Sequence, residues 1–430
     1  MLLGDLRQKG KSGSRSGSLE EEDMLVPAAI TARNPTETVT QPQKLSNRAQ
    51  WLKARAARDF ATSETLARGF LKKRPDDLAA ARGLARDLVE TGRAEKALEV
   101  WRSIFEQVPE DIEASYHLWC ANPRDPRLAS LGAGQIAILE RARRFRLSEG
   151  ESRPIHHVAI CGISYCGSTL FDRMLGGLPG VASIGESHWL IKRRHERSFT
   201  TLSFEHYVDE EKLVPCSVCG DGCEVLSRDF RLGLAADHTD WYQRIGARLG
   251  ALHLISADKN LVKLVENDPK LRFDALVMFK SPDQAWRSKL NKLPEGESAD
   301  FYRAELDKFI QTWLGSYRHF LFDLKPTGKT IFLNFDAFAE NPAPYAEAVC
   351  RKLGLPYSPE ILTRTIPGHA VGGNRGSMAN LRELDYSVKI RPLAPADLPQ
   401  RQHAFIEGNE LVQDTYRELM ARHDMLLAGD

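Results

Sequence analysis

The hydrophobic pattern divides the chain into three stretches. Residues 1–42 are rich in Gly, Ser, Lys and Glu without helical or strand periodicity, which predicts a disordered tail. In residues 43–150 apolar side chains recur three and four positions apart among Ala, Leu, Arg and Glu, the pattern of amphipathic helices. In residues 151–430 short apolar runs alternate with helical patterns, which predicts an α/β domain with a buried parallel sheet.

The α/β stretch contains three apolar runs suited to buried strands, at 155–161, 275–279 and 330–335. Each run is followed by a helical pattern. The predicted helices span about 168–178, 283–292, 301–323, 343–353 and 398–423.

The helical stretch carries a repeat. The segments PDDLA at 75–79 and PEDIE at 109–113 lie one 34-residue period apart, which is the tetratricopeptide period. Between them the positions that pack in such a repeat hold Leu84, Ala85, Leu88, Ala97, Trp101 and Ile104, with Gly92 at the turn. The neighbouring units are degenerate, so we expect this all-α, tetratricopeptide-like module to dock on the domain that follows. Two roles stay open, an arm that holds a protein partner or an acceptor, and a helical cap.

Composition and charge narrow the class of protein. A chain of 430 residues is long for one core, and 42% hydrophobic with 27% charged residues is typical of a soluble protein. A formal net charge of +1 gives no overall attraction to nucleic acid or to anionic lipid. Since no run approaches the roughly 18 apolar residues of a membrane span, the expected compartment is the cytoplasm.

A glycine turn joins the first predicted strand to the helix that follows it, in the segment HVAICGISYCGSTL at 157–170. Backbone N–H groups at such a turn converge on phosphate oxygens. Ser168 stands where a nucleotide triphosphatase has its lysine, so ATP hydrolysis is disfavoured. The alternative interpretation is a purely structural turn. The candidate cofactor-binding residues are Gly162, Ser164, Tyr165, Cys166, Gly167, Ser168 and Thr169.

This loop, with LPGV at 178–181 and then Gly185-Glu186, resembles the corresponding segments of sulfotransferases that use 3'-phosphoadenosine-5'-phosphosulfate (PAPS). The likeness is greatest to tyrosylprotein sulfotransferases and to bacterial sulfotransferases fused to tetratricopeptide repeats. Over residues 155–380 the other matching segments, in order, are Asp258-Lys259-Asn260, Lys280-Ser281-Pro282 through Ser288, and 369–374. The resemblance implies a P-loop NTPase-like parallel sheet with flanking helices. It also implies PAPS as co-substrate, adenosine 3',5'-bisphosphate as product and a hydroxyl-bearing acceptor.

The resemblance also assigns the catalytic groups. Glu186 matches the glutamate that removes the acceptor proton in tyrosylprotein sulfotransferases, and burial beside Trp189 is expected to raise its pKa. His188 is the rival base, because cytosolic sulfotransferases use a histidine. Lys259 would stabilise the charge that develops on the leaving oxygen.

Lys280 and Ser288 match the site of the 3'-phosphate, although the family usually has arginine at the first position. Tyr165 is the main departure, since the family ordinarily has a basic residue there and a phenol brings no charge. Arg173 or Arg375 would supply the missing charge.

Three of the seven cysteines, Cys216, Cys219 and Cys223, cluster at spacings compatible with zinc. Histidine candidates for a fourth ligand are His195, His206 and His238. A structural zinc site, a disulfide and free thiols all remain open.

The leading hypothesis is therefore a PAPS-dependent sulfotransferase that works by in-line displacement. A catalytically weak PAPS- or nucleotide-binding scaffold is the alternative, and a small-molecule kinase is disfavoured by the missing lysine. The acceptor stays open among peptide tyrosine, saccharide, lipid and small-molecule hydroxyls.

Overall fold

The computed structural model describes residues 47–145, 154–191, 214–220, 222–258, 271–324, 327–365, 368–372 and 387–428. The predicted tail, Lys259 and Arg375 lie outside these ranges, as do His195 and His206. Within the described ranges, no helix has the length and apolar character needed to cross a membrane.

Among the described residues, six α-helices precede the sheet: α1 Asn47–Ala56, α2 Phe60–Lys73, α3 Leu78–Glu90, α4 Ala94–Gln107, α5 Ile112–Ala121 and α6 Ala133–Arg143. Asp77 and Asp111, from the two similar segments, begin α3 and α5 in the same way. Their side chains accept hydrogen bonds from the backbone N–H groups of Ala80 at 3.0 Å and of Ala114 at 2.9 Å. These caps stabilise the first turn of each helix.

The same period recurs in two ion pairs. Arg48 Nη1 lies 3.1 Å from Asp77 Oδ2, and Arg82 Nε lies 3.0 Å from Asp111 Oδ2. Arg48 and Arg82 also stand one 34-residue period apart, so the repeat builds the same link twice. The six predicted packing residues are all buried, and Gly92 has φ +73° at the turn. Assignment of the module to the tetratricopeptide class stays a prediction.

Over the part of the chain that the structure describes, the sheet has five strands: β1 His156–Cys161, β2 Val181–Ser183, β3 His253–Ser256, β4 Phe273–Phe279 and β5 Thr330–Asn334. Their spatial order is β2-β3-β1-β4-β5, and every neighbouring pair is parallel. The three predicted strands are confirmed as β1, β4 and β5. The sequence analysis missed β2 and β3 because they are too short to show a distinct apolar run.

Helices cover the sheet. Among the described residues they include α7 Ser168–Leu175 and the helices Arg228–Ala236, Trp241–Leu249, Pro282–Leu290, Ala299–Arg318, Phe335–Glu340, Pro342–Leu353, Gln400–Glu407 and Glu410–Asp424. The single helix predicted at 398–423 was wrong, since Gly408 ends one helix and Asn409 caps the next by accepting from the Val412 N–H at 3.2 Å. The helix predicted at 301–323 ends as an α-helix at Arg318, and a π-helical turn follows.

The helical module docks on the α/β part. Gly233 lies so close to α6 that a Cβ atom there would stand 3.1 Å from the carbonyl oxygen of Ala142. Lys53 Nζ lies 2.7 Å from Asp323 Oδ1, and Arg58 donates a hydrogen bond to the carbonyl of Leu271 at 2.8 Å. Buried side chains of both parts belong to one continuous hydrophobic cluster.

Candidate functional site

The carboxyl ends of all five strands meet at one edge of the sheet, because every pair is parallel. Ligands of open α/β sheets bind at this edge. The edge carries the 162–169 loop after β1, Glu186 and His188 after β2, Asp258 after β3, Lys280 after β4 and Asp336 after β5. The candidate residues that the structure describes at these strand ends, far apart in sequence, are therefore brought to one place.

Two glycines hold the loop after β1 against its neighbours. Gly162 has φ +149° and Gly167 has φ +97°. A Cβ atom would lie 2.5 Å from the carbonyl oxygen of Met278 at Gly162, and 2.3 Å from the Phe335 ring at Gly167. Neither position accommodates a side chain, so these glycines fix the turn that leads into α7.

Tyr165 has φ +70°, which is uncommon for a residue with a side chain. Its side chain is half-buried, as is that of Ser164, while Cys166, Ser168 and Thr169 are buried. Backbone in this region is strained, and such strain clusters at ligand-binding turns. The predicted loop residues thus lie together at the N-terminus of α7, where the first N–H groups of a helix have no intrahelical acceptor.

Lys280 and Ser288, which the resemblance matches to a 3'-phosphate site, are in direct contact. Lys280 Nζ donates to Ser288 Oγ at 3.1 Å, and Ser288 Oγ donates to the carbonyl of Gln284 at 2.8 Å. Lys280 is 8% exposed, and among the described residues no carboxylate oxygen lies within 4.0 Å of its Nζ. Burial lowers the pKa of Lys280, partly opposed by Cys166 and Asp336. A buried cation without an ion-pair partner is suited to an anionic ligand.

Phe335 joins this lysine to the loop. The Lys280 Nζ lies 5.1 Å from the centroid of its ring, and the same ring packs against Gly167. Asp336, which the sequence analysis did not single out, accepts a hydrogen bond from the Ser281 N–H at 2.8 Å and so fixes the backbone next to Lys280. Its position directly after an apolar strand was the available signal.

Glu186 is 9% exposed and is held from two sides. Its backbone N–H donates to the carbonyl of Val371 at 2.8 Å, and its Oε2 accepts from the Trp189 indole N–H at 2.8 Å. Gly185 pairs with Val371, and a Cβ atom at Gly185 would lie 2.4 Å from that carbonyl. Trp189 is therefore a hydrogen-bond donor to Glu186, and not only the apolar neighbour that the sequence predicted.

His188 is paired with Asp258. Its Nδ1 lies 3.1 Å from Asp258 Oδ1, while the Ser187 hydroxyl donates to Asp258 Oδ2 and lies 2.9 Å from the Tyr242 hydroxyl. Burial would raise the pKa of Asp258, but hydrogen bonds and charge from His188, with Ser187, outweigh it and lower that pKa. A carboxylate that orients an imidazole through one nitrogen is the arrangement of a general base. From the sequence alone, Asp258 is recognisable only as the neighbour of Lys259.

Asp172, on α7, is a further acid that the sequence analysis missed. It is fully buried and accepts a hydrogen bond from the Ser183 hydroxyl. Burial raises its pKa to about 7, and the negative charges of Asp258 and Glu186 add to this, while Ser183 and Arg173 oppose it. Acids thus gather on the β2–β3 side of the loop, and Lys280 lies on the β4 side.

Among the described residues, the histidine beside the cysteine cluster is His369, while the predicted candidates His195 and His206 lie outside them. Cys216, Cys219, Cys223 and His369 offer ligand atoms that all lie within 4.8 Å of one another. His238, one of the predicted candidates, instead places Nε2 3.1 Å from Arg86 Nη2 and stacks on Trp241, so that prediction was wrong. His369 was missed because it is distant in sequence from the cysteines and lies in the 369–374 segment, which was interpreted only as a match to the sulfotransferases.

No family model matches the chain, and no curated protein matches it. Among solved structures it is similar to a sulfotransferase domain from the curacin biosynthetic pathway, with 18% identity and a TM-score of 0.36 over 60% of this chain and 98% of that one. It is also similar to the sulfotransferase STF1 from Mycobacterium tuberculosis, with 12% identity and a TM-score of 0.28 over 75% of this chain and 98% of that one. Because both scores are low, neither likeness assigns a function to this chain.

Proposed function

We propose that this protein transfers a sulfuryl group from PAPS to the hydroxyl group of an acceptor, on a P-loop NTPase-like sheet. One observation carries the proposal. Lys280 and Ser288, which the sequence resemblance assigns to the 3'-phosphate, touch each other beside the loop that the same resemblance assigns to the 5'-phosphosulfate.

The nucleotide is held at two points. Backbone N–H groups of the 162–169 loop and the start of α7 bind the 5'-phosphosulfate, with Ser168 and Thr169 as hydroxyl donors. Lys280 Nζ and Ser288 Oγ bind the 3'-phosphate. Among the described residues, no carboxylate lies within 4.0 Å of the Lys280 ammonium. A bound phosphate would supply the missing negative charge, and a charge-assisted hydrogen bond at this buried position is strong.

In the transfer step the acceptor oxygen attacks sulfur opposite the bridging oxygen. The new bond joins the acceptor oxygen to sulfur. The bond between sulfur and the bridging oxygen breaks, and its electron pair stays on the 5'-phosphate of adenosine 3',5'-bisphosphate. Glu186 takes the acceptor proton, with its carboxylate oriented by the Trp189 N–H. Lys259, outside the described residues, is the proposed cation at the leaving oxygen.

His188 is the second candidate for the base, and a specific observation favours it. Asp258 fixes its Nδ1 at 3.1 Å, as the orienting acid does in other histidine bases. Glu186 and His188 follow the same strand, so both lie on the acid-rich side of the loop.

The alternative function is a nucleotide-binding scaffold whose module recruits partners. Tyr165 favours it, because this residue adds no positive charge at a position where the resembling family has one. Ser168 in place of a Walker lysine disfavours a kinase.

Nucleotide preference tests the assignment of the site. Adenosine 3',5'-bisphosphate should raise the melting temperature clearly more than AMP does, because only the bisphosphate reaches Lys280 and Ser288. Equal stabilisation by the two nucleotides would show that no 3'-phosphate site exists. Turnover of PAPS then separates an enzyme from a scaffold.

A further inference from the structure

Four side chains of metal-binding type meet beside the candidate active site. His369 Nδ1 lies 3.3 Å from the sulfur of Cys219 and 3.3 Å from that of Cys223, and Cys216 completes the group. The histidine comes from a segment 150 residues beyond Cys219 in the chain. Folding, and not only sequence spacing, therefore assembles this set.

The backbone around the sulfurs is arranged as a tight turn. The Gly220 N–H donates to the carbonyl of Cys216 at 2.9 Å, and Gly220 has φ +78°. The Cys219 N–H points at the sulfur of Cys216 at 3.5 Å, and the Leu226 N–H at that of Cys223 at 3.3 Å. Such amide donors stabilise thiolates, the form in which cysteine binds metal.

We propose that Cys216, Cys219, Cys223 and His369 bind one zinc ion in a closed, structural site. Three sulfurs and one imidazole nitrogen are a recurrent tetrahedral zinc set, and the spread of 4.8 Å allows all four to reach one ion. Four protein ligands leave no position for water or substrate, so the metal holds structure and performs no catalysis. None of the three cysteines is in a disulfide, so their sulfurs are available to a metal ion.

The cysteine segment and the His369 segment are hydrogen-bonded to each other, and the second also contacts Glu186, the residue proposed as base. The Ser217 N–H donates to the carbonyl of Ala370 at 2.7 Å, and the Ser217 hydroxyl to that of Gly372 at 3.2 Å. Between these residues Val371 accepts the Glu186 N–H at 2.8 Å. Zinc at His369 would therefore fix the segment on which Glu186 rests. The metal site itself does not depend on the proposed sulfuryl transfer.

Metal content of the full chain tests the proposal. Protein purified from cells supplied with zinc should contain one zinc per chain by plasma mass spectrometry. Loss of a residue that only hydrogen-bonds to a metal ligand weakens metal binding by roughly 10–100-fold. Cys219→Ser and His369→Ala each remove a direct ligand, so both should weaken zinc binding by more than that. His369→Cys, which restores a fourth ligand, should retain the metal, and Cys120→Ser is the matched control outside the cluster.

Cobalt provides a second measurement that does not require the variants to fold. Replacement of the metal in the wild-type chain should give the visible bands of tetrahedral cobalt and a thiolate-to-cobalt charge-transfer band. Chelation should release one metal and lower the melting temperature by about 5 °C or more. Zinc-free protein with a disulfide among the three cysteines, or full zinc retention by both Cys219→Ser and His369→Ala, would overturn the proposal.

Discussion

Lys280 Nζ lies 3.1 Å from Ser288 Oγ, although the lysine directly follows strand β4 and the serine lies on the next helix. Ser288 in turn donates to the carbonyl of Gln284, so its hydroxyl oxygen faces the ammonium group. The Lys280 ammonium lies over the ring of Phe335, and that ring packs against Gly167 of the glycine loop. An anion at this place would be bound by a buried charge and a fixed hydroxyl.

Removal of that charge should weaken the binding of a nucleotide with a 3'-phosphate. Lys280→Ala should lower the affinity for adenosine 3',5'-bisphosphate by about tenfold or more, because a charge-assisted hydrogen bond contributes roughly 1.5–3 kcal/mol. AMP affinity should change little, and Lys96→Ala, at an exposed position of α4, is the control. Calorimetric titration measures both ligands. An equal loss for AMP and the bisphosphate would place Lys280 elsewhere than at the 3'-phosphate.

The base is tested by two substitutions compared with one acceptor. Glu186→Gln keeps the shape and the Trp189 contact, so it should preserve bisphosphate binding and lower turnover by about 10²–10⁴-fold. His188→Ala should have a smaller effect. The reverse pattern, a large loss in His188→Ala with mild loss in Glu186→Gln, would assign the base to the His188–Asp258 pair. Loss of bisphosphate binding in Glu186→Gln would make that residue a support of the loop.

Asp172 should make stability depend on pH. Its pKa in the folded chain is about 7, above the value of about 3.9 for an unfolded Asp, so folding takes up a proton between these values. The favourable contribution of Asp172 to the free energy of unfolding is complete below about pH 4 and is lost as the pH rises through 7. The loss amounts to at most about 1.4 kcal/mol per pH unit. Asp172→Asn should remove this slope in urea unfolding between pH 5 and 8. An unchanged slope, or the same change in the exposed control Asp300→Asn, contradicts the assignment.

The helical module should be required for solubility. The helix Arg228–Ala236 buries Phe230, Leu232 and Leu234, and it packs on α6. A chain shortened to begin near Arg153 should expose this apolar face and aggregate, whereas deletion of residues 1–42 alone should be tolerated. Size-exclusion chromatography and thermal unfolding measure the difference. A stable, monomeric chain without the module would make the module an independent arm.

Local features of this fold were predictable from the sequence. The 34-residue period predicted helix starts that Asp77 and Asp111 do cap, because capping depends on a few neighbouring residues. The glycine turn was predictable for the same reason, and the apolar runs of β1, β4 and β5 are long enough to stand out. The resemblance matched Lys280 and Ser288 to one site, and their contact joins a strand end to a helix turn that lies close in sequence.

Contacts between distant segments were not predictable. Asp258 orients His188 from 70 residues away, and His369 joins the cysteines from a still more distant segment. Asp172 carries no motif, and its pKa is raised by burial, which arises only when α7 packs beside β2. Periodicity and spacing describe one element at a time, whereas these pairs depend on which strands lie side by side.

Transfer of a labelled sulfuryl group tests the central claim most directly. The full chain is incubated with PAPS carrying radiolabelled sulfur and, in turn, with peptide tyrosine, saccharide, lipid and small-molecule hydroxyl acceptors. We predict label on at least one acceptor class, with release of one adenosine 3',5'-bisphosphate per transfer and a loss of about 10²-fold or more in Glu186→Gln. If the chain binds the bisphosphate but all label stays on PAPS with every acceptor class, the proposal of an enzyme is contradicted. The protein is then a nucleotide-binding scaffold.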